Sequence, residues 1–172
     1  MVTLAGMEQG ATWYATSVTK PSVTIGKTPH SFLNHTFHYP GKVTWDPVTV
    51  TLVDPVNPDA TGNLLSILQR SGYNVPGNLN DPDATTTIGK GNASAQLGSV
   101  IIRALDEDGN FLEEWTLNNP FITKVSFNAY DYKAEDLSDI TVEIGYDWAS
   151  YDIPAGPNRD PGELVERRLF SP

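Results

Sequence analysis

Residues 140–148 alternate strictly between apolar and polar side chains. The two sets have opposite parity: Ile140, Val142, Ile144, Tyr146 and Trp148 against Thr141, Glu143, Gly145 and Asp147. Because successive side chains of a β-strand point to opposite faces, this pattern predicts one strand with a buried face and a polar face. Strands of this kind are typical of antiparallel sheets that meet water on one side.

Similar patterns predict further strands at residues 13–18, 23–25, 36–39, 99–105, 111–117 and 121–129. Residues 42–53 are predicted to form one long strand whose apolar parity changes at Asp46-Pro47, which indicates a β-bulge. Residues 24–41 are polar and punctuated by Pro29 and Pro40-Gly41, so we expect an extended hairpin or arm there.

One segment has a strong helical pattern. Asp59 is suited to cap a helix, Leu64, Leu65, Ile67 and Leu68 form an apolar stripe, and Gly72 is suited to end it. The pattern of residues 85–97 favours a second, short helix. We therefore predict a mainly β domain over residues 12–150, preceded by an arm at 1–11 and followed by a Pro/Gly-rich tail at 151–172.

Composition narrows the functional classes. The 172 residues include 13 Pro and 14 Gly, which is typical of a turn-rich β protein, and no Cys, which excludes disulfides and thiolate metal sites. The net charge of −10 argues against binding to phosphate backbones, although nucleic acid would pass such a surface without adhering. The first ten residues lack an apolar run, so we expect neither a signal peptide nor membrane insertion. We therefore expect synthesis in a cytoplasm.

Candidate chemistry is sparse. His30, His35 and His38 lie close in sequence, but strand residues three apart face opposite ways, so we expect no metal site. Asp106, Asp108 and Asn110 surround Gly109 in a pattern that favours a hairpin turn over a calcium loop.

Acid–base chemistry has no support in the sequence either. On a single strand Glu143 and Asp147 would share a polar face but lie too far apart for glycoside hydrolysis. No nucleophile motif or phosphate-binding glycine loop is present. We therefore expect no enzymatic activity, no catalytic residue, no metal and no cofactor.

Open sheet edges predict a partner. A meander with a lone packing helix and long arms leaves strands whose backbone groups need pairing. Identical subunits that join their sheets into a closed ring remove such edges, and the polar strand faces would then line a water-filled lumen.

Three stretches carry a family resemblance: SFLNHTFHYPGKVTW at residues 31–45, DEDGNFLEEWTL at 106–117, and the pattern from NPFI at 119–122 to YDW at 146–148. In order and spacing they resemble the tail tube proteins of contractile-tailed bacteriophages, over about residues 12–150. The resemblance implies an antiparallel β-sandwich or small barrel with one flanking α-helix and extended arms.

In that family six copies form a ring, and rings stack into a hollow tube that conducts the genome inside a contractile sheath. The resemblance implies a virion location and, as partners, further copies of the chain, the tail sheath protein, baseplate and tail terminator proteins, the tape measure protein and passing DNA. It also implies that the helix at 59–72 packs on the sheet and supports subunit contacts. The arm then contacts an adjacent ring, and we expect these residues to form the contact: Phe32, Leu33, Asn34, His35, Phe37 and Tyr39.

Relatives of the same fold remain as alternatives. A baseplate protein that initiates the tube, or a tube protein of a secretion system or bacteriocin, would look similar in sequence, and a monomeric β-sandwich binding module is a further alternative. Whatever the assembly, we predict a core that includes the following residues: Trp45, Leu65, Leu68, Trp115, Phe121, Ile144 and Trp148.

Overall fold

The structure, a computed structural model, describes residues 1–6, 15–55, 59–74, 87–128 and 137–152. Two helices lie within these ranges, α1 (Ala60–Arg70) and α2 (Lys90–Leu97). The strands of the same ranges are, in chain order, β1 (Val2–Leu4), β2 (Ala15–Val18), β3 (Ser22–Phe32), β4 (His35–Asp46), β5 (Val48–Val53), β6 (Val100–Leu105), β7 (Phe111–Asn118), β8 (Phe121–Phe127), β9 (Asp139–Gly145) and β10 (Trp148–Asp152).

The described strands form two four-stranded sheets and one two-stranded ribbon. The first sheet has the order β1-β6-β7-β10, the second has the order β2-β5-β9-β8, and β3 pairs only with β4. All of these pairs are antiparallel, so the predicted mainly β, antiparallel architecture is confirmed.

Both four-stranded sheets contribute to one hydrophobic core, which makes the domain a sandwich of two open sheets. In the second sheet, the directly paired residues of β5 and β9 are at most 1% exposed: Val48 with Ile144, Val50 with Val142 and Leu52 with Ile140. The first sheet adds Val100, Leu117 and Ala149. Burial of the Val, Leu and Ile side chains among these stabilises the fold by roughly 1.5–3 kcal/mol each.

Helix α1 begins as its sequence indicates but presents a narrower buried face. The Asp59 carboxylate accepts a hydrogen bond from the backbone N–H of Gly62 at 2.8 Å, and Gly72 follows the helix with a positive φ of 108°. Leu64 and Ile67 are buried, whereas Leu65 is 49% exposed. The core prediction for Leu65 is therefore wrong. Leu64 and Ile67, three residues apart, lie on the face of the helix that packs on the core, and Leu65 projects away from that face.

Helix α2 confirms the short helix within residues 85–97 and is additional to the single flanking helix of the family expectation. It buries Ala93 and Leu97.

Two strands that the sequence predicts as continuous are interrupted. Residues 42–53 divide at Pro47 into β4 and β5, which belong to different sheets, because proline supplies no N–H to continue a ladder. The change of apolar parity there marks this break and not a bulge.

The predicted strand at 140–148 likewise ends at Gly145, and β10 begins at Trp148 in the other sheet. The parity restarts after the crossing, so Ala149 is the buried residue of β10 and Trp148 is only partly buried, outside the core cluster. Trp148 thus has the same partial burial as Leu68 and Phe121, outside the core cluster.

The remaining core predictions differ in burial. Ile144 is fully buried, Trp45 and Trp115 are partly buried against the core, and Leu68 and Phe121 are partly buried without belonging to the core cluster.

The start of the chain differs from the predicted arm over residues 1–11. Val2 and Leu4 of β1 are buried and pair with Ile102 and Val100 of β6, so the first residues belong to the domain and the predicted arm over 1–11 is wrong at this end. Residues 7–11 lie outside the described residues. At the other end β10 includes 151–152, and the rest of the predicted tail, 153–172, also lies outside them.

Candidate functional site

The β3–β4 hairpin, residues 22–46, is the largest feature of the described molecule that no core covers, and we call it the arm. Its register runs from Ser22 opposite Asp46 to Phe32 opposite His35, and every residue from 22 to 44 is exposed. At about 3.3 Å per residue, the 11 residues of β3 span roughly 35 Å. The predicted extended hairpin is therefore confirmed, and it is longer than residues 24–41.

A bulge divides the arm into two halves. The register shifts between Ile25 and Lys27, and the backbones of Gly26 and Gly41 approach closely there: a Cβ added to Gly41 would lie 3.1 Å from the carbonyl oxygen of Gly26. Glycine permits this approach because it has no side chain. One strand has an extra residue here, so the apolar face changes phase between the halves.

The outer half presents an aromatic face to solvent. The directly opposed pairs of one face are Thr28 with Tyr39, His30 with Phe37, and Phe32 with His35. Edge-to-face ring contacts join His30 to Tyr39, with centroids 6.4 Å apart, and His35 to Phe37, at 4.6 Å. Phe32 is 63% exposed, and Leu33 at the tip is 87% exposed with a positive φ of 52°.

The inner half is attached to the body. Trp45 packs against Tyr146 with ring centroids 6.0 Å apart, and the Asp46 carboxylate accepts hydrogen bonds from the hydroxyls of Ser22 at 2.9 Å and Thr24 at 3.2 Å. Burial, followed by the charge of Asp46, raises the pKa of Tyr146 to about 12. These contacts fix the root of the arm while the outer half remains exposed.

An ion pair lies just before the arm. Lys20 pairs with Glu113 of β7, which connects the segment leading into the arm to the first sheet. Because the Lys20 side chain is 64% exposed, this pair orients the root more than it stabilises the fold.

Isolated two-stranded ribbons are marginally stable in water, and exposed apolar patches on soluble proteins usually mark contact sites. The arm combines both features over its full length. Its geometry and chemistry therefore suit the binding of another protein surface.

Open strand edges are the second unpartnered feature of the described sheets. The second sheet ends at β8 on one side and β2 on the other, and the first sheet ends at β1 and β10. The outward edge of β8 extends over seven residues and bears the exposed Lys124. A charged side chain on an edge strand hinders non-specific pairing with other chains, but a complementary strand can still pair with that edge and extend the sheet.

The hairpin turn at 106–110 adopts the predicted conformation. Its Asp106 carboxylate accepts backbone N–H hydrogen bonds from Asp108 at 3.0 Å and Asn110 at 2.7 Å, and Gly109 has a φ of +82°. Hydrogen bonds from the Asn110 side chain and backbone hold the pKa of Asp106 below its usual value. The carboxylate stabilises the turn, as the hairpin interpretation requires.

Glu143 and Asp147 do not share a strand face. Asp147 lies in the turn between β9 and β10, where its carboxylate accepts hydrogen bonds from Lys90 at 2.6 Å and Asn119 at 2.8 Å. These donors, Lys90 first, lower the pKa of Asp147. Both donors, Lys90 and Asn119, line an open surface cleft of about 650 Å³ between α2 and the turn that joins β7 to β8.

The three histidines lie on the arm without a carboxylate between them. Among the described residues, no three His, Cys, Asp or Glu side chains converge in a way that could hold a metal ion. In the same part of the chain, neither helix is long and apolar enough to cross a membrane.

Sequence reasoning located the arm but missed the residues that hold its root. Trp45 and Tyr146 both pack at the core, and nothing in their local sequence indicates that their mutual contact joins the arm to the body. Lys20 and Glu113 carry no local signal, because 93 residues separate them. The aromatic face could have been found, since His35, Phe37 and Tyr39 share one parity.

No protein-family model matches the chain, and no curated protein sequence matches it. Solved structures do match. A chain from the tube-terminating cap of the anti-feeding prophage has 13% identity and a TM-score of 0.59, covering 89% of this chain and 87% of that one. A chain from the sheath–tube complex of an extracellular contractile injection system has 13% identity and a TM-score of 0.57, covering 81% of each.

A third chain, from the baseplate of the anti-feeding prophage, has 13% identity and a TM-score of 0.56, covering 78% of this chain and 77% of that one. All three similarities extend over most of both chains. Because the sequence identity is only 13%, they show similarity of fold and nothing further. This protein thus has the tail-tube fold, which it shares with components of the tubes, caps and baseplates of contractile injection systems.

Proposed function

We propose that the chain is a structural subunit of a phage tail tube and has no enzymatic activity. The observation that carries the proposal is the arm: a hairpin of roughly 35 Å, exposed and partly aromatic, projects from a domain with open sheet edges. Both features need partner surfaces, and repeated contacts between identical copies supply them in a closed or stacked assembly.

In the proposed assembly six copies join their sheet edges into a ring, and rings stack through the arms. The arm residues at the ring-to-ring contact are Phe32, Leu33, Asn34, His35, Phe37 and Tyr39, all of which are exposed. A contractile sheath surrounds the tube. The similarity to a chain of a sheath–tube complex supports this arrangement.

The proposed cargo is the phage genome. A net charge of −10 suits a conduit through which DNA passes without adhering, because like charges repel. The proposed location is the virion tail after synthesis in the host cytoplasm. The other proposed partners of the chain are the baseplate and terminator proteins at the two ends of the tube and the tape measure protein in its lumen.

A second candidate is a terminal component of the same kind of tube. Two of the similar structures are a tube-terminating cap and a baseplate of the anti-feeding prophage, and a tube protein of a secretion system or bacteriocin is a further candidate of the same kind. A terminal component differs from a tube subunit in one property: it forms a single ring that does not continue to stack.

Negative-stain microscopy of the concentrated protein, with sizing over a concentration series, tests the proposal. A tube subunit gives ring-sized species that rise with concentration and open-ended tubes of varied length. Single rings that never stack would favour the terminal component. A stable monomer at all concentrations, with no rings or tubes even when added to purified phage baseplates, would contradict both.

A further inference from the structure

Charge is distributed unevenly between the arm and the rest of the chain. From residue 23 to residue 45 there are two lysines, Lys27 and Lys42, and no Asp or Glu, although the whole chain has a net charge of −10. Both lysines lie at the bulge in the middle of the arm, and Lys27 shares a face of the ribbon with the exposed register partners Ile25 and Val43. The middle of the arm is therefore both apolar and basic.

A surface of the opposite kind lies at the end of the β6–β7 hairpin. Leu105, Phe111 and Leu112 are 40%, 42% and 41% exposed, and Leu105 is the register partner of Phe111. The exposed Glu107 and Asp108 occupy the turn beside them. We call these five residues the turn patch. It is apolar with two acidic residues at its turn, and the Arg103 guanidinium, 4.9 Å from the centroid of the Phe111 ring, is paired with Glu114.

We infer that the turn patch of one copy receives the middle of the arm of a second copy. The contact would pack Ile25 and Val43 against Leu105, Phe111 and Leu112, with Lys27 near Glu107 and Asp108. Opposite charges at the rim of an apolar contact fix its register and suppress wrong pairings. This inference rests on the proposed function, and adds to it the surface that the arm recognises.

The contact joins two different surfaces of one chain, so it is heterologous. Contacts of this type do not saturate in a pair of copies but continue from copy to copy, as a stacked tube requires. Another exposed apolar site, Leu65 on α1, lacks the acidic partner: the charged residue of that helix is Arg70. Charge complementarity thus favours the turn patch over α1.

Cysteine cross-linking tests the inference directly, because the natural chain has no Cys. One preparation has Val43→Cys, and a second, distinguished by a mass tag, has Leu112→Cys. Mild oxidation of the mixture should give a disulfide between the two, which is necessarily intermolecular. The matched control replaces Leu112→Cys by Leu65→Cys, equally exposed but on α1, and should give a yield at least about fivefold lower.

Charge reversal tests the electrostatic part. Lys27→Glu should lower the yield about fivefold, and Glu107→Lys with Asp108→Lys in the other copy should restore it. Arg70→Glu, an exposed reversal of the same sign outside both surfaces, should leave the yield unchanged. Circular dichroism of each variant checks that folding is intact, as expected for exposed positions.

Microscopy of the same samples separates the two proposals. Tubes without the Val43–Leu112 cross-link would overturn the docking inference and leave the tube function standing. The cross-link without rings or tubes would support docking and contradict the tube function. A cross-link equally strong with Leu65→Cys, or insensitive to charge reversal, would also overturn the inference.

Discussion

Leu64 and Leu65 are neighbours in α1, yet they differ in exposure from 1% to 49%. Leu64→Ala should lower the free energy of unfolding by about 2–5 kcal/mol, because it leaves a cavity in the core. Leu65→Ala should change it by less than about 1 kcal/mol, since its side chain removes little surface from water. Urea denaturation of the two variants measures the difference, and equal losses would contradict the assignment of the buried face.

Tyr146 gives the molecule a pH dependence at the alkaline end. Its folded pKa is raised from 10.0 to about 12 by burial and by Asp46. A raised folded pKa means that the neutral phenol is favoured in the folded state. The stabilisation is therefore complete below pH 10 and is lost as the pH rises towards 12.

Tyr146→Phe should remove this part of the alkaline loss of stability, measured as the thermal midpoint between pH 9 and pH 12. The exposed Tyr39 serves as the matched control, and Tyr39→Phe should retain the wild-type dependence. An identical pH profile for wild type and Tyr146→Phe would show that the Tyr146 hydroxyl does not experience the surroundings described above.

Within the arm, substitutions at the root and substitutions in the outer half should have separate effects. Asp46→Ala removes the acceptor for the Ser22 and Thr24 hydroxyls. Amide hydrogen exchange in the arm should become faster, while the thermal midpoint of the body changes little, because exposed hydrogen bonds contribute little to the core. Thr36→Ala, which removes the contact of Thr36 with Ser31 at the tip, is the control and should leave exchange at the root unchanged.

Local signals predicted individual elements well. Asp59 and Gly72 bracket α1 because capping and positive φ are properties of single residues and their immediate neighbours. The turn at Gly109 was predictable for the same reason. Where a strand leaves one sheet and enters the other was not predictable, because alternation continues through residues 145–148 while the sheet partner changes.

The candidate site shows the same division. Exposure of the arm follows from its polar and proline-containing sequence, so its location could be predicted. The attachment of the arm through Trp45 and Tyr146 could not be predicted, because the two residues are distant in the chain and both are of types that usually lie in a core. Long-range contacts of this kind depend on how the sheets pack.

On the scale of the whole molecule, the body and the arm have different sources of order. The body has one core shared by both sheets and should fold alone. The arm buries little within its own chain, and its order depends on its root and on a partner. Assembly would therefore add contacts to the arm without rebuilding the body.

Deleting residues 26–40 tests this separation. The deletion joins Ile25 to Gly41, and because Ile25 and Val43 are register partners, Gly41 and Lys42 become a two-residue hairpin turn with glycine at its first position. The shortened root should keep its contacts with the body, so the thermal midpoint should remain within a few degrees of the wild type.

The same variant should form no long tubes under conditions in which the wild-type protein does, because the outer aromatic face is gone. Leu65→Ser, which changes an exposed apolar residue outside the arm, is the microscopy control and should still assemble. Single rings without stacking would show that sheet edges hold the ring and that the arm links rings. Long tubes from the deleted protein would show that other surfaces make the axial contact, and the exposed arm would then need a different partner.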